Sequence, residues 1–78
     1  NQIVQDWRQG VIEVTTRAQL KGQVRKDVDP AAVAAFVISS IEGCVGVGKA
    51  TQSREFLEAG FRGLIDYLEH LRPEPREH

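Results

Sequence analysis

The chain has 78 residues, a formal net charge of −1 at pH 7 and a hydrophobic fraction of 41%. This length allows one small domain, and the balanced charge excludes the basic footprint of a nucleic-acid-binding surface. A single cysteine excludes an internal disulfide bond and any metal site with several cysteine ligands. The N-terminal residues lack a signal-peptide pattern, and apolar helical spacing begins at once with Ile3 and without an initiator Met. We therefore expect the C-terminal piece of a longer protein, in a reducing compartment.

The first predicted element is an amphipathic helix over residues 2–21. Apolar side chains recur at helical spacing within about 100° of arc, the width of a core-facing stripe. The stripe consists of Ile3, Val4, Trp7, Val11, Val14 and Ala18. Polar residues occupy the opposite side, and Gly22 is a C-terminal stop signal. Trp7 is either a core residue or a flat wall for an aromatic ligand.

The second predicted helix, over residues 30–50, organises the rest of the chain. Asp29 is suited to cap its N-terminus, and Pro30 is suited to the first helical position. Almost every side of this helix is apolar or small, with Glu42 as its one charge before Lys49. A helix of this composition has to be surrounded by protein or by lipid.

Glycines near the end of this helix call for a packing explanation. Gly43, Gly46 and Gly48 each cost about 1 kcal/mol relative to alanine inside a helix. The usual compensation is the close approach of another helix, so these positions predict a tight helix–helix contact.

The third predicted helix covers residues 54–71, with Thr51 or Ser53 as its cap. Its apolar arc spans roughly 200°, about twice what one packing contact needs. The bulky part of the arc comprises Leu57, Phe61, Leu64, Ile65 and Leu68. The other part combines Gly60 and Gly63 with Phe56 and Tyr67. Residues 72–78 carry two prolines and alternating charges, and we predict that they are disordered.

The segment from Gly43 to Lys49 has the glycine and lysine spacing of a phosphate-binding loop. The next residue is Ala50, however, where such a loop needs a hydroxyl for the magnesium ion, and a helical pattern precedes it instead of a strand. The segment 31–48 is also long and apolar enough to suggest a membrane-spanning helix, although burying the charge of Glu42 in a membrane would be costly. A buried helix of a soluble protein accounts better for both features.

The remaining polar candidates have structural explanations that we prefer to functional ones. Glu42 is interpreted as a rim residue or an inter-subunit ion pair, not as a carboxylate that meets a ligand cation. Cys44 has no neighbouring cation in the sequence, so an inert core thiol is favoured over a redox sensor. His70 and His78 lack the spacing of a metal site, and we predict no metal, no cofactor and no catalytic residue. Basic residues near the first linker indicate a solvated surface.

The last 50 residues resemble the C-terminal ending of the tetracycline-repressor (TetR) family of bacterial transcription regulators. The resemblance is carried by the Asp29-Pro30 start, a long apolar helix containing Glu42-Gly43, and a turn after Lys49-Ala50. It continues with a closing helix that ends Leu64-Ile65-Asp66-Tyr67-Leu68, and Ala18-Gln19-Leu20-Lys21-Gly22 upstream fits the same pattern. The similarity spans about residues 7–71.

This resemblance implies a cytoplasmic homodimer in which the last two helices pair with those of a second copy as a four-helix bundle. The interface residues expected on this basis are Ser39, Gly43, Gly46, Val47, Phe56, Gly60, Gly63 and Tyr67. It also implies a cavity for a small apolar or aromatic effector. The pocket residues expected on this basis are Trp7, Val11 and Phe36. Operator DNA would be bound by an N-terminal helix-turn-helix domain that these 78 residues do not contain.

The fold expected from the sequence is therefore all-α, with residues 1–71 as the C-terminal part of a TetR-like regulatory domain and 72–78 as a tail. A second hypothesis, from a different class, is a stand-alone helical module that binds other proteins and has no ligand or DNA role. The first hypothesis expects a DNA-binding segment upstream of Asn1 in the natural chain, whereas the second expects a natural N-terminus near Asn1. An enzyme is a distant third alternative, because no pair of catalytic groups stands at a workable spacing.

Overall fold

A computed structural model describes residues 1–73, and this part of the chain consists of three α-helices without strands. They are α1 (Gln2–Leu20), α2 (Pro30–Thr51) and α3 (Arg54–Glu69). The predicted all-α class is confirmed, and each helix ends within one or two residues of its predicted end, the usual uncertainty of helix boundaries. The predicted disordered tail lies outside the described residues, except for Arg72 and Pro73.

Side-chain caps determine where α2 and α3 begin. The Asp29 carboxylate accepts a hydrogen bond from the backbone N–H of Ala31 at 3.0 Å, and Pro30 occupies the first turn, as the sequence predicts. The Ser53 hydroxyl accepts one from the N–H of Phe56 at 3.0 Å, so Ser53 is the cap of α3 and Thr51 is not. Each cap satisfies a backbone donor that the helix itself leaves without a partner.

Left-handed backbone conformations terminate the first two helices. Gly22 follows α1 with a φ angle of 75°, which a residue without Cβ adopts at little cost, and this confirms its predicted role as a stop. Gln52 has a φ angle of 53° at the end of α2, and its N–H donates to the carbonyls of Gly48 and Lys49. This sharp ending allows α3 to begin only two residues later.

The middle helix is continuous through Gly43, Gly46 and Gly48. The segment that resembles a phosphate-binding loop is therefore α-helical and does not form a loop around an anion. By length and composition alone α2 is also long and apolar enough to cross a membrane. Core helices of soluble proteins share this property.

The packing of the three helices is open. α2 contacts both α1 and α3, whereas no packing between α1 and α3 occurs in the described part of the chain. The fold measures 47 × 34 × 13 Å, and its radius of gyration is 14.5 Å. A compact domain of this size would have a radius of gyration of about 11 Å. The middle helix thus holds two flanking helices that do not close over it.

Few side chains are buried in this arrangement. The core consists of Val33, Ala34, Leu64 and Leu71, which are at most 8% exposed, together with Thr15 at 7%. The prediction that the whole apolar stripe of α1 faces a core is wrong for the described chain. Trp7 is 51% exposed and Val14 is 63% exposed, because only α2 lies against α1. Cys44 is half-buried and not a core thiol.

Candidate functional site

An apolar cavity of about 690 Å³ lies between α1, α2 and the end of α3. Its walls are mostly hydrocarbon and include Trp7, Val11, Val14, Val37, Leu68 and Leu71. The structure thus brings together two of the three residues expected in the effector pocket, Trp7 and Val11. The third, Phe36, does not line this cavity and belongs to a groove on the other side of α2. The volume lies in the range of about 300–1,000 Å³ that small-molecule sites occupy.

The charged residues of the cavity wall, Asp6 and Arg72, are exposed and already have partners. Asp6 accepts a hydrogen bond from the side-chain amide of Gln2 at 2.8 Å. The Arg72 guanidinium lies 3.4 Å from a carboxylate oxygen of Glu69. Both pairs are on the surface, where ion pairs and polar contacts contribute little energy. The cavity wall is therefore apolar apart from these two exposed charges and a few polar groups.

Thr15 is the buried polar residue of this wall, whereas Gln23, its other uncharged polar residue, is exposed. It is 7% exposed, lines the cavity, and its hydroxyl has no hydrogen-bond partner among residues 1–73. Sequence reasoning missed Thr15, because the predicted stripe of α1 contains only apolar residues. The available signal was its spacing, since Thr15 lies one helical turn from Val11 and from Ala18 on the same face.

Hydrogen bonds hold together one end of the cavity, where the first linker lies between the ends of α1 and α3. The side-chain amide of Gln19 donates to the carbonyl oxygens of Arg25 and Val28, each at 2.9 Å. The backbone N–H of Arg25 donates to the carbonyl of Leu71 at 2.8 Å. These bonds connect the end of α1, the first linker and the end of α3. They fix Leu71 as a cavity wall although α1 and α3 do not pack together.

One of the basic residues near this linker, Arg25, is paired with an acidic neighbour. The Nε and Nη2 groups of its guanidinium donate to the two carboxylate oxygens of Asp27, at 3.0 and 2.7 Å. The hydrogen bond from Arg25 lowers the pKa of Asp27 below its ordinary value. A lowered carboxyl pKa stabilises the folded state at pH values above the ordinary pKa. This contribution is lost as the pH falls from the ordinary pKa through the lowered one. The pair supports the interpretation of this region as a solvated surface.

The second concave feature is the groove, an apolar depression of about 510 Å³ between α2 and α3. Six of the eight residues expected at a dimer interface line it. They are Ser39, Gly43, Val47, Phe56, Gly60 and Gly63. Tyr67 contacts Phe36 in the same region, with ring centroids 4.4 Å apart at an angle of 47°. Gly46 is exposed and lies outside the groove.

Two glycines permit close packing of α2 and α3. A Cβ atom at Gly60 would collide with the Sγ atom of Cys44, and a Cβ atom at Gly48 would lie 3.5 Å from that of Leu57. Gly48 therefore lies at the α2–α3 contact, but a Cβ atom at that distance would be in ordinary van der Waals contact, so the packing does not require a glycine there. At Gly60 on α3 the close approach does require a glycine, because this residue packs against Cys44 of its own chain.

Three other glycines face open space. A Cβ atom at Gly43, Gly46 or Gly63 would meet no other atom within 4 Å in the described part of the chain. Packing within this chain does not account for the absence of side chains at these positions. Large apolar side chains nearby are also uncovered, since Phe36 is 48% and Phe56 46% exposed.

Glu42 is exposed and makes no ion pair among residues 1–73. No contact within the described chain therefore supports its interpretation as a rim residue beside Lys49. His70 is also exposed, and one ring nitrogen lies 2.8 Å from the carbonyl oxygen of Asp66 in the same helix. No group of histidine, cysteine and acidic residues suited to a metal ion occurs in the described part.

The described fold and site define an all-α domain whose middle helix separates an apolar cavity from an uncovered groove. The chain belongs to the tetracyclin repressor-like, C-terminal domain family, whose sequence profile matches residues 1–64. This confirms the resemblance seen in the sequence and makes the chain a TetR-like regulator domain. No curated protein and no solved structure gives a significant match.

Proposed function

We propose that this chain is the regulatory and homodimerisation region of a bacterial transcriptional regulator, cytoplasmic and without catalytic activity. In this proposal the cavity binds a small apolar or aromatic effector, and the groove pairs with a second copy. Family membership supports both roles, and the geometry of the two concave sites is compatible with them.

The groove and the open glycines of α2 and α3 support pairing with a second copy. Gly43 and Gly63 face open space although glycine weakens a helix by about 1 kcal/mol relative to alanine. A partner helix that approaches closely would explain their presence, and it would also cover Phe36 and Phe56. A four-helix bundle formed by α2 and α3 of two copies fits this requirement.

The proposed mechanism is a population shift. The effector would bind more tightly to one spacing of two DNA-reading domains, and the rigid α2–α3 pair would transmit that preference between subunits. Operator DNA is contacted only through a helix-turn-helix domain outside these residues. A full-length natural chain without such a domain upstream would contradict this part of the proposal and favour a stand-alone interaction module.

The native mass of the full natural chain over a wide concentration range tests the pairing directly. We expect a dimer that persists to low concentration, measured by light scattering or sedimentation. Gly43→Leu places a bulky side chain in the groove, at a position where a Cβ atom meets nothing within its own chain, so it should weaken the dimer by about fivefold or more, as overpacking by about 1–3 kcal/mol implies.

Two control variants on the polar side of α3 distinguish an interface effect from a general one. Glu58→Ala removes an exposed charge, and Arg62→Leu adds a leucine of the same size as the one at position 43. Both should leave the dissociation constant within about twofold of the wild-type value. A folded monomer, or equal small effects of all three substitutions, would contradict the interface assignment.

A further inference from the structure

The cavity contains one buried polar group that its surroundings do not satisfy. Thr15 is 7% exposed, and its hydroxyl has no partner among residues 1–73. Among residues 1–73, every side-chain oxygen that is fully inaccessible to solvent has a hydrogen-bond partner. The Thr15 hydroxyl therefore reaches open space, and the space that Thr15 borders is the cavity.

A second threonine in the same fold shows what a helical hydroxyl does when it is satisfied locally. The Thr51 hydroxyl donates to the carbonyl oxygen of Val47 one turn earlier, at 2.7 Å. Thr15 could use the carbonyl of Val11 in the same way, but the structure shows no such bond. Its hydroxyl remains available to a molecule in the cavity.

Filling the cavity with pure hydrocarbon would take this hydroxyl out of water without replacing its hydrogen bond. A polar group buried in this way carries a desolvation penalty, whereas a ligand that offers a donor or an acceptor avoids it. A charged ligand group gains little from the wall, since the charges of Asp6 and Arg72 are exposed to water, which screens them, and Arg72 is also paired with Glu69. The favoured ligand is therefore neutral.

We propose that Thr15 is the polar anchor of the cavity and selects effectors that combine an aromatic body with one neutral hydroxyl or carbonyl group. This inference rests on the proposed function, in which the cavity binds the effector. Trp7, half-exposed in the same wall, provides a flat apolar surface for the ring. The hydrogen bond to Thr15 fixes the orientation of the ligand.

The test compares two probes of nearly equal size and shape, 2-naphthol and 2-methylnaphthalene, by calorimetry on the full natural chain. They differ by a hydroxyl in place of a methyl group. We expect 2-naphthol to bind about threefold to tenfold more tightly, the range that one neutral hydrogen bond supplies. The indole N–H signal of Trp7, assigned with Trp7→Phe, reports whether each probe enters the cavity.

Variants at position 15 connect this preference to the hydroxyl. Thr15→Val keeps the branched shape and should reduce the preference to about one, whereas Thr15→Ser keeps a hydroxyl and should retain it. Thr51→Val is the control, because its hydroxyl belongs to the end of α2 and does not line the cavity. It should leave the preference unchanged.

Each negative result has a distinct meaning. Equal affinities for the two probes, or a preference that survives in Thr15→Val, would overturn the anchor while the cavity remained a ligand site. If neither probe bound or moved the Trp7 signal, both the anchor and the proposed effector cavity would be overturned.

Discussion

Gln19 is a neutral residue that connects the end of α1 to the first linker. Its side-chain amide donates to two carbonyl oxygens of the first linker, those of Arg25 and Val28. Both acceptors are carbonyls, so the orientation of the amide group is determined by the bonds themselves. The backbone of Arg25 in turn holds Leu71 against the cavity. One neutral side chain therefore holds the linker through which the ends of α1 and α3 are connected.

Gln19→Ala should lower the free energy of unfolding by about 1–3 kcal/mol, since two hydrogen bonds of about 0.5–1.5 kcal/mol each are lost. Denaturant titration followed by circular dichroism measures this change. Gln9→Ala is the matched control, because the Gln9 amide makes only one exposed contact, 3.3 Å from Glu13. Its effect should stay below about 0.5 kcal/mol. Equal losses for the two variants would show that Gln19 does not hold the linker.

At the scale of the helix, α2 and α3 approach each other closely because small residues meet at their contact. Gly60 lies against Cys44, and Gly48 lies against Leu57. Helix propensity favours alanine over glycine at both positions, and at Gly60 tertiary packing opposes that local preference. This conflict makes the Gly60–Cys44 contact testable by coupled substitutions.

Gly60→Ala in the wild-type background should bring no stability gain or a loss, because the new Cβ displaces the Sγ atom of Cys44. In a Cys44→Ala background the same change should stabilise the protein by about 0.5–1 kcal/mol. Gly10→Ala, at an open position of α1, should stabilise both backgrounds equally. Thermal unfolding at one fixed protein concentration measures all three. Additive effects of Gly60→Ala and Cys44→Ala would show that the two positions do not touch.

For the whole molecule, the open arrangement of the helices has an energetic consequence. The described chain buries few side chains and leaves Ile3, Trp7 and Phe56 about half exposed. Small domains bury little surface even when they are compact, and this one has a larger radius of gyration than a compact domain. Its stability should therefore depend on contacts with further protein, foremost a second copy.

If two copies fold together, the unfolding midpoint depends on concentration. We expect it to rise by about 3–6 °C for each tenfold increase in protein, from mass action and the usual unfolding enthalpy per residue. Scanning calorimetry at several concentrations measures this slope, and Gly43→Leu should lower the midpoint at each concentration. A midpoint that stays constant over a hundredfold range would mean that the chain is stable as a monomer.

The sequence by itself determined the helices and their ends, because periodicity and capping are local. Asp29, Pro30 and Gly22 act where their chemistry indicates, and the profile over residues 1–64 agrees with the resemblance carried by scattered residues. Trp7 and Val11 could be assigned to one wall because they share one face of α1. These features need no knowledge of how the helices pack.

Only the tertiary structure decided what each face meets. Phe36 and Trp7 are both apolar and helical, yet α2 separates them into the groove and the cavity. Gly43 and Gly60 look equivalent in the sequence, but one faces open space and the other contacts Cys44. Thr15 gains its role from the hydrocarbon walls around it. The physical reason is that helical spacing fixes which residues share a face, whereas the neighbour of that face depends on residues distant in the chain.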